Sequence, residues 1–370
     1  MRQISFSIAL LIVAGPVFAG SEDDIIQFNQ ARSEEALRNL DAGSFDQKYL
    51  ASLYMGGTRN PRFVRPLGRE LLIGLQDPRG PRDPESTEIR IACGAQLNQI
   101  CPPTATQDPY IKASIAWALG EIGHKQAVPF LKEAMALVTQ RIEVDVKRTS
   151  DLRAKLPGGE YKNSVVLDRN TAGPAHLRKG YVYPFSPDIH WSEADDFKAL
   201  GAVDEKDEGH RALMHSYNFV NVAAMILQAL GRIRDPSSLE TIQAYLDHPI
   251  ISIRGPAILA AGRQGRSALP VLLAQVDKEK DKRMQARLAR GILLIDKSQN
   301  AQYKVLITLL KDRDTEVRTE AVFALNELSM GEAVDDLREA LRIEEREGLR
   351  NLLVQAIQSA ERDNILPVNY

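Results

Sequence analysis

Residues 317–328 read Val-Arg-Thr-Glu-Ala-Val-Phe-Ala-Leu-Asn-Glu-Leu, and this run decides the fold class. Its apolar residues recur at helical spacing, which predicts a helix with one buried face. A hydrophobe followed by arginine marks this run and three others at nearly constant spacing. The four pairs are Ile253-Arg254, Ala286-Arg287, Val317-Arg318 and Leu349-Arg350, with arginines 33, 31 and 32 residues apart. Helix pairs repeated at this period predict an all-α chain, an α-solenoid.

The composition supports an all-α protein and narrows the choice of partners. Aromatic residues make up 6% of the 370-residue chain, which favours helices built from alanine and leucine over a β-sandwich. The formal net charge is −2, and a nucleic-acid partner is not expected because phosphate binding needs a concentrated basic surface. Nothing in the composition indicates a cofactor.

The first nineteen residues have the pattern of a secretory signal peptide. Arg2 precedes an apolar run from Ile4 to Val13, and small residues at Val17 and Ala19 fit cleavage after Ala19. An uncleaved anchor is the alternative, but the apolar run is short for a membrane span. No later stretch is apolar enough to span a membrane. We therefore expect an exported, periplasmic protein without a membrane span after cleavage.

The remaining chain divides into repeats and interruptions. Proline and glycine clusters interrupt the helical pattern twice, because they are incompatible with long helices. The expected segments are a signal peptide (1–19), an N-terminal helical cap or degenerate repeat (20–75), a cysteine-containing connection (76–107), a first clear repeat (108–140), an irregular insertion (141–208), further repeats (209–364) and a tail (365–370). Short strand-like pieces are predicted at 164–167 and 181–183 inside the insertion.

The insertion is the predicted site of partner contact. It combines aromatic side chains with a basic first half and an acidic second half, and aromatics with arginine are enriched at binding hot spots. The residues expected to contact a partner are Tyr181, Tyr183, Phe185, Trp191, Arg178 and Lys179. As the alternative, these aromatics hold the insertion on the repeats as a local core.

Histidines of the same region suggest a second hypothesis, a metal site. His190, His210 and His215 lie near several carboxylates, and both groups are suitable ligands for zinc, nickel or iron. Their spacing matches no known metal motif, so a solvated acidic loop is the alternative. Nucleophile elbows, phosphate-binding loops and the His-Glu-x-x-His zinc motif are all missing from the sequence. The balance is against an enzyme.

The two cysteines, Cys93 and Cys101, lie in the exported part of the chain. An oxidising compartment favours a disulfide between them, and two buried free thiols are the alternative. Two thiols alone are too few for a structural zinc site.

Several helix ends resemble the HEAT-like repeats of phycobilisome lyases. The resemblance rests on Ala118-Leu119-Gly120-Glu121-Ile122-Gly123, Ala229-Leu230-Gly231-Arg232-Ile233, Ala260-Ala261-Gly262-Arg263 and Ala324-Leu325-Asn326-Glu327-Leu328. It implies a solenoid in which Arg254, Arg287, Arg318 and Arg350 join preceding acids (Asp247, Asp281, Asp312 and Glu344) in a structural ladder between repeats. A ligand-binding arginine stripe is the alternative. A chromophore-lyase role would also follow from the resemblance, but those lyases act in the cytoplasm and the signal peptide argues against it.

The leading hypothesis is therefore a non-enzymatic, exported scaffold. It would bind a protein or an envelope component through its concave face and the 141–208 insertion. The second hypothesis is a metal-dependent enzyme or metal-binding module that uses histidines of the insertion.

Overall fold

The computed structural model describes residues 22–73, 75, 109–155 and 208–365. Within these ranges the chain forms α-helices joined by turns and short 3₁₀ segments, and no residue of these ranges lies in a strand. The predicted all-α fold is confirmed. The two strand-like pieces predicted inside the insertion, at 164–167 and 181–183, lie outside the described residues. The chain separates into two compact units, Met1–Ile233 and Arg234–Tyr370, called here the N-terminal and C-terminal units.

The N-terminal unit contains six described helices. They are α1 (Glu22–Ala42), α2 (Phe45–Thr58), α3 (Val64–Leu72), α4 (Pro109–Ile122), α5 (Val128–Lys155) and α6 (Glu208–Ile233). Helices α2, α4 and α6 pack side by side, while α3 and α5 cover the second side of this layer. Small residues allow the close packing, since a Cβ placed on Gly120 would lie 2.9 Å from the Cα of Ala229.

The C-terminal unit is a regular stack of helix pairs. Its described helices are α7 (Leu239–Gln243), α8 (Ile251–Gly262), α9 (Leu269–Val276), α10 (Lys282–Ile295), α11 (Asn300–Leu309), α12 (Thr315–Leu328), α13 (Val334–Ile343) and α14 (Glu347–Ile365). The longer helices α8, α10, α12 and α14 pack one on the next in a continuous layer, and the shorter helices form a second layer against them. The core is built mostly from alanine, leucine and isoleucine, as in the cluster between α10 and α14.

Short polar motifs set where these helices begin. Ser44 and Gln47 form a capping box at α2, in which each side chain accepts the other residue's backbone N–H. Asp281 and Asp314 cap α10 and α12 by accepting backbone N–H groups of the first turn. These caps satisfy N–H groups that have no partner inside the helix, so they set the starts of the repeats.

Helix α5 is longer than the sequence pattern predicted. The first clear repeat was expected to end at residue 140, whereas α5 continues to Lys155, inside the predicted insertion. The first proline after Val128-Pro129 is Pro157, so the apolar pattern weakens before the helix must end. Helix α6 begins at Glu208, where the repeats were expected to resume.

Candidate functional site

A ladder of hydrogen bonds joins successive loops of the C-terminal unit. In each loop one side chain, two residues before the helix cap, accepts the backbone N–H of the residue two positions later. The acceptors are His248 (3.2 Å from Ile250 N), Glu279 (2.9 Å from Asp281 N), Asp312 (2.9 Å from Asp314 N) and Glu344 (3.0 Å from Arg346 N). This shared contact fixes how each loop enters the following long helix.

The same four residues accept a second hydrogen bond through their backbone carbonyls. Each donor lies six residues later, on the first turns of the long helix, so it clamps its own loop. The bonds are Arg254 Nη1 to His248 O (2.6 Å), Gln285 Nε2 to Glu279 O (2.9 Å), Arg318 Nη1 to Asp312 O (2.8 Å) and Arg350 Nη1 to Glu344 O (2.7 Å). We call these four pairs the loop ladder.

Ion pairs connect one loop of the ladder to the next. Arg254 Nε lies 2.9 Å from Glu279 Oε2, and Arg318 Nε lies 2.8 Å from Glu344 Oε2. Between them Lys282 Nζ reaches Asp312 Oδ2 at 2.5 Å. Charge-assisted bonds of this kind are stronger than neutral ones, so the ladder resists sliding of one repeat past the next.

The structure places Arg287 outside the loop ladder, in a contact with the neighbouring long helix. Gln285, not Arg287, holds the position equivalent to Arg254 and Arg318, because it donates to the carbonyl six residues earlier. A shift of two residues turns a side chain by about 200° around a helix, so Arg287 points elsewhere. Two of the expected acids differ as well, since Asp247 bonds to Gln275 and Asp281 to Arg283.

Arg287 belongs to a second array, a charge zipper between α10 and α12. Three arginines on α10 face three glutamates on α12. The pairs are Arg283 with Glu316 (Nη1 to Oε2, 2.8 Å), Arg287 with Glu320 (Nε to Oε2, 3.0 Å) and Arg290 with Glu327. In these three pairs the cations all lie on α10 and the anions all lie on α12. The zipper therefore favours contact of this one face of α10 with α12.

The pKa values of these carboxylates indicate ionised, structural groups. Burial raises the pKa of Glu344. The hydrogen bonds and charge of Arg318 and the N–H of Arg346 lower it by more than burial raises it, so the pKa lies below its ordinary value. At Asp312 the hydrogen bond from Lys282 lowers the pKa. A general acid at neutral pH needs a raised pKa, so both carboxylates are suited to charge pairing instead.

In the N-terminal unit the long helices α5 and α6 form an antiparallel pair. The guanidinium of Arg141 on α5 lies 4.3 Å from the ring centroid of Phe219 on α6. From Arg141 to its end at Lys155, α5 is about 21 Å long, at the rise of a straight helix. From its start at Glu208 to Phe219, α6 is about 16 Å long. We call this pair of long helices the arm. The chain between them, 156–207, lies outside the described residues.

The predicted partner-contact residues all fall in that segment. Arg178, Lys179, Tyr181, Tyr183, Phe185 and Trp191 lie outside the described residues, so their contacts stay predictions. The described part of the insertion is its two helical edges, to Lys155 and from Glu208. Sequence reasoning missed the arm because side-chain spacing does not show that two helices on either side of a long gap pack together.

The predicted metal ligands are likewise not brought together by the described residues. His190 lies outside them, and His210 and His215 lie on α6 in a part whose side chains are not described. Among the described residues no group of three or more histidine, cysteine, aspartate or glutamate side chains is arranged to hold a metal ion.

Two further predictions concern parts of the chain beyond the described ranges. The signal peptide with its cleavage site at Ala19, and the bond between Cys93 and Cys101, both lie outside the described residues and stay predictions. No helix in the described ranges combines the length and the apolar character needed to cross a membrane.

Comparison with known proteins identifies HEAT repeats. The family described as HEAT repeats matches residues 211–293 and 269–358, and the family described as PBS lyase HEAT-like repeat matches 111–136. A search of curated protein sequences finds no match. Among solved structures, a chain from the complex of CpcE and CpcF of phycocyanin lyase from Nostoc sp. PCC7120 aligns with 94% of this chain and 98% of its own, at 13% identity and a TM-score of 0.43. The matched segments are thus similar to HEAT repeats, in agreement with the helix pairs of the structure.

Proposed function

We propose that this protein is an exported, periplasmic scaffold of HEAT-like repeats that binds another protein or an envelope component without chemistry of its own. The concave face of the repeats and the chain between α5 and α6 would supply the contacts. Repeat arrays commonly serve as extended binding surfaces, and the charged loop residues of this one are engaged in holding neighbouring repeats together.

The observation that carries the proposal is the helical arm. Helices α5 and α6 have 28 and 26 residues, about twice the 14 residues of α4 beside them. Measured along their helices, Lys155 and Glu208 lie about 21 Å and about 16 Å from the Arg141–Phe219 contact. The chain between them contains the aromatic and basic residues predicted to contact a partner, so the arm would present them away from the repeat core.

Shortening the arm's connection tests the proposal without damaging the repeats. Residues 158–205 are replaced by a Gly-Ser linker of about eight residues, which leaves the sequences of α5 and α6 unchanged. We expect the wild-type protein to capture a partner from native envelope extracts and the shortened variant to lose it. Circular dichroism should show that the helices remain. Undiminished capture by the shortened variant would overturn the proposal.

Charge reversal within the segment provides a matched comparison. We expect Arg178→Glu with Lys179→Glu to weaken capture. Lys304→Glu with Arg342→Glu makes the same change of charge at exposed positions of the C-terminal unit and should leave capture unchanged. Equal loss in both double variants would indicate nonspecific attraction to net charge and not a built contact.

The metal-site hypothesis stays a prediction, because His190 lies outside the described residues and the side chains of His210 and His215 are not described. Metal analysis of protein purified without a histidine tag tests it directly. A stoichiometric transition metal that is lost in His190→Ala would replace the scaffold proposal with a metal-dependent one.

A further inference from the structure

His248 is the exception among the side-chain acceptors of the loop ladder. The corresponding residues in the next three loops are Glu279, Asp312 and Glu344, at spacings of 31, 33 and 32 residues. All four accept the N–H two positions later, but a carboxylate does so while ionised and an imidazole only while neutral. The first loop of the C-terminal unit therefore responds to pH differently from the others.

The start of α8 depends on that imidazole. His248 Nδ1 accepts the N–H of Ile250, the residue that caps α8, at 3.2 Å. The Ile250 side chain has no hydrogen-bonding atom, whereas α10 and α12 are capped by Asp281 and Asp314 in addition to the loop acceptor. Loss of the His248 contact thus removes the side-chain acceptor at this helix start.

Burial and the charge of Arg254 disfavour the protonated form of His248. From α8, Arg254 bonds to the His248 carbonyl and is itself paired with Glu279. Asp247, the neighbouring acid, bonds to Gln275 and lies 3.6 Å from Lys278, and the Tyr245 ring lies 6.0 Å from the imidazole. Burial, and after it the nearby Arg254 charge, lowers the pKa of His248 to about 4.

We propose that His248 makes the first loop of the C-terminal unit an acid-sensitive joint. Protonation would place a hydrogen on Nδ1 opposite the Ile250 N–H and a positive charge beside Arg254. The loop then separates from the start of α8, and the clamp between Arg254 and the His248 carbonyl opens. In two of the following loops the acceptors are Asp312 and Glu344, whose pKa values are lowered, so these carboxylates stay ionised in mild acid.

Proton linkage sets the size of the effect. In the opened loop the imidazole regains its ordinary pKa of 6.5, so opening takes up a proton between pH 6.5 and about 4. At pH 5 the opening equilibrium constant is raised about 30-fold relative to pH 8, from the difference of the two pKa values. Opening is thus favoured by mild acid that leaves Asp312 and Glu344 ionised.

Hydrogen exchange measured by mass spectrometry on the full chain tests the joint. Exchange at pH 8 and pH 5, corrected for the intrinsic pH dependence of exchange, is compared for the four helix starts 250–256, 281–287, 314–320 and 346–352. We expect protection at 250–256 to fall about 30-fold at pH 5 relative to the other three segments. Equal changes in all four segments, or none in any, would overturn the proposal.

Two variants test whether the acid sensitivity comes from the imidazole itself, because each keeps a hydrogen-bond acceptor at position 248. In His248→Asn the side-chain oxygen accepts the Ile250 N–H at every pH, and in His248→Asp the carboxylate of the other loops is restored. Both variants should keep 250–256 protected at pH 5. A wild-type-like loss in either folded variant would contradict the proposal. If both variants fail to fold, the pKa of His248 is measured by NMR in the wild-type protein. A value of 6 or higher would contradict the proposal, because loop opening would then take up almost no proton.

Discussion

Arg287 on α10 and Glu320 on α12 form a two-point ion pair that is almost completely shielded from water. The Arg287 side chain is 1% exposed and the Glu320 side chain 8% exposed, with Nε of the arginine 3.0 Å from Oε2 of the glutamate. A buried pair of this kind specifies how two helices meet, although it adds little net stability over an apolar contact.

Breaking the pair from one side should be costly. Glu320→Ala leaves a buried guanidinium without this carboxylate, and we expect the free energy of unfolding to fall by about 3–5 kcal/mol. Urea unfolding followed by circular dichroism measures the change. The double variant Arg287→Met with Glu320→Leu should recover most of it, since both charges are then removed. A double variant as unstable as the single one would show that the pair itself stabilises the fold.

The loop ladder should depend on the forked shape of arginine. Arg318 bonds to the Asp312 carbonyl and to both oxygens of Glu344, so Arg318→Ala removes several bonds and should cost about 2–3 kcal/mol in unfolding free energy. Arg318→Lys keeps the charge but cannot reach both groups, and we expect it to restore less than half of the loss. Full recovery with lysine would mean that charge alone matters.

Two glycines in one helix contact should differ in their tolerance of alanine. A Cβ on Gly262 of α8 would lie 2.6 Å from the Cα of Gly291, whereas a Cβ on Gly291 would meet its nearest atoms at 3.5 Å. We expect Gly262→Ala to lower the unfolding free energy by about 1–3 kcal/mol and Gly291→Ala to change it by less than about 1 kcal/mol. Gly348→Ala, with no atom within 4 Å, is the control for helix propensity. Equal effects at Gly262 and Gly291 would contradict the packing argument.

Stability should fall with acid in two separate ranges. The folded-state pKa of His248 is about 4, below its ordinary 6.5, so the unfolded chain binds a proton first and stability falls as the pH drops from 6.5 to 4. Asp312 and Glu344 also have lowered pKa values, and their contribution is lost at still lower pH, below their ordinary values of 3.8 and 4.5. Urea midpoints across pH should show both ranges in the wild type and the lower one alone in His248→Asn. If the urea midpoint of His248→Asn still fell between pH 6.5 and 4 as in the wild type, His248 would be excluded as the cause of that loss.

The repeat period and the helix pairs were predictable because they arise from local chemistry. Apolar residues at helical spacing, as in 317–328, and caps such as Asp281 and Asp314 act within one helix or turn, so their positions in the chain reveal them. The all-α fold that these signals predict was confirmed. The extension of α5 to Lys155 was not predicted, because the apolar pattern weakens well before the proline and glycines at 157–159 that follow this helix.

What the amino-acid order alone determined is the all-α, repeated architecture. Only the tertiary structure decided which residues meet. Arg287 and Gln285 fit the repeat spacing about equally well, at 33, 31 and 32 against 31, 33 and 32 residues. Two positions on a helix differ by about 200° in direction, so only the packed helices show that Gln285 clamps its loop while Arg287 meets Glu320. The same holds for the arm of α5 and α6, which depends on a contact between residues far apart in the chain, Arg141 and Phe219.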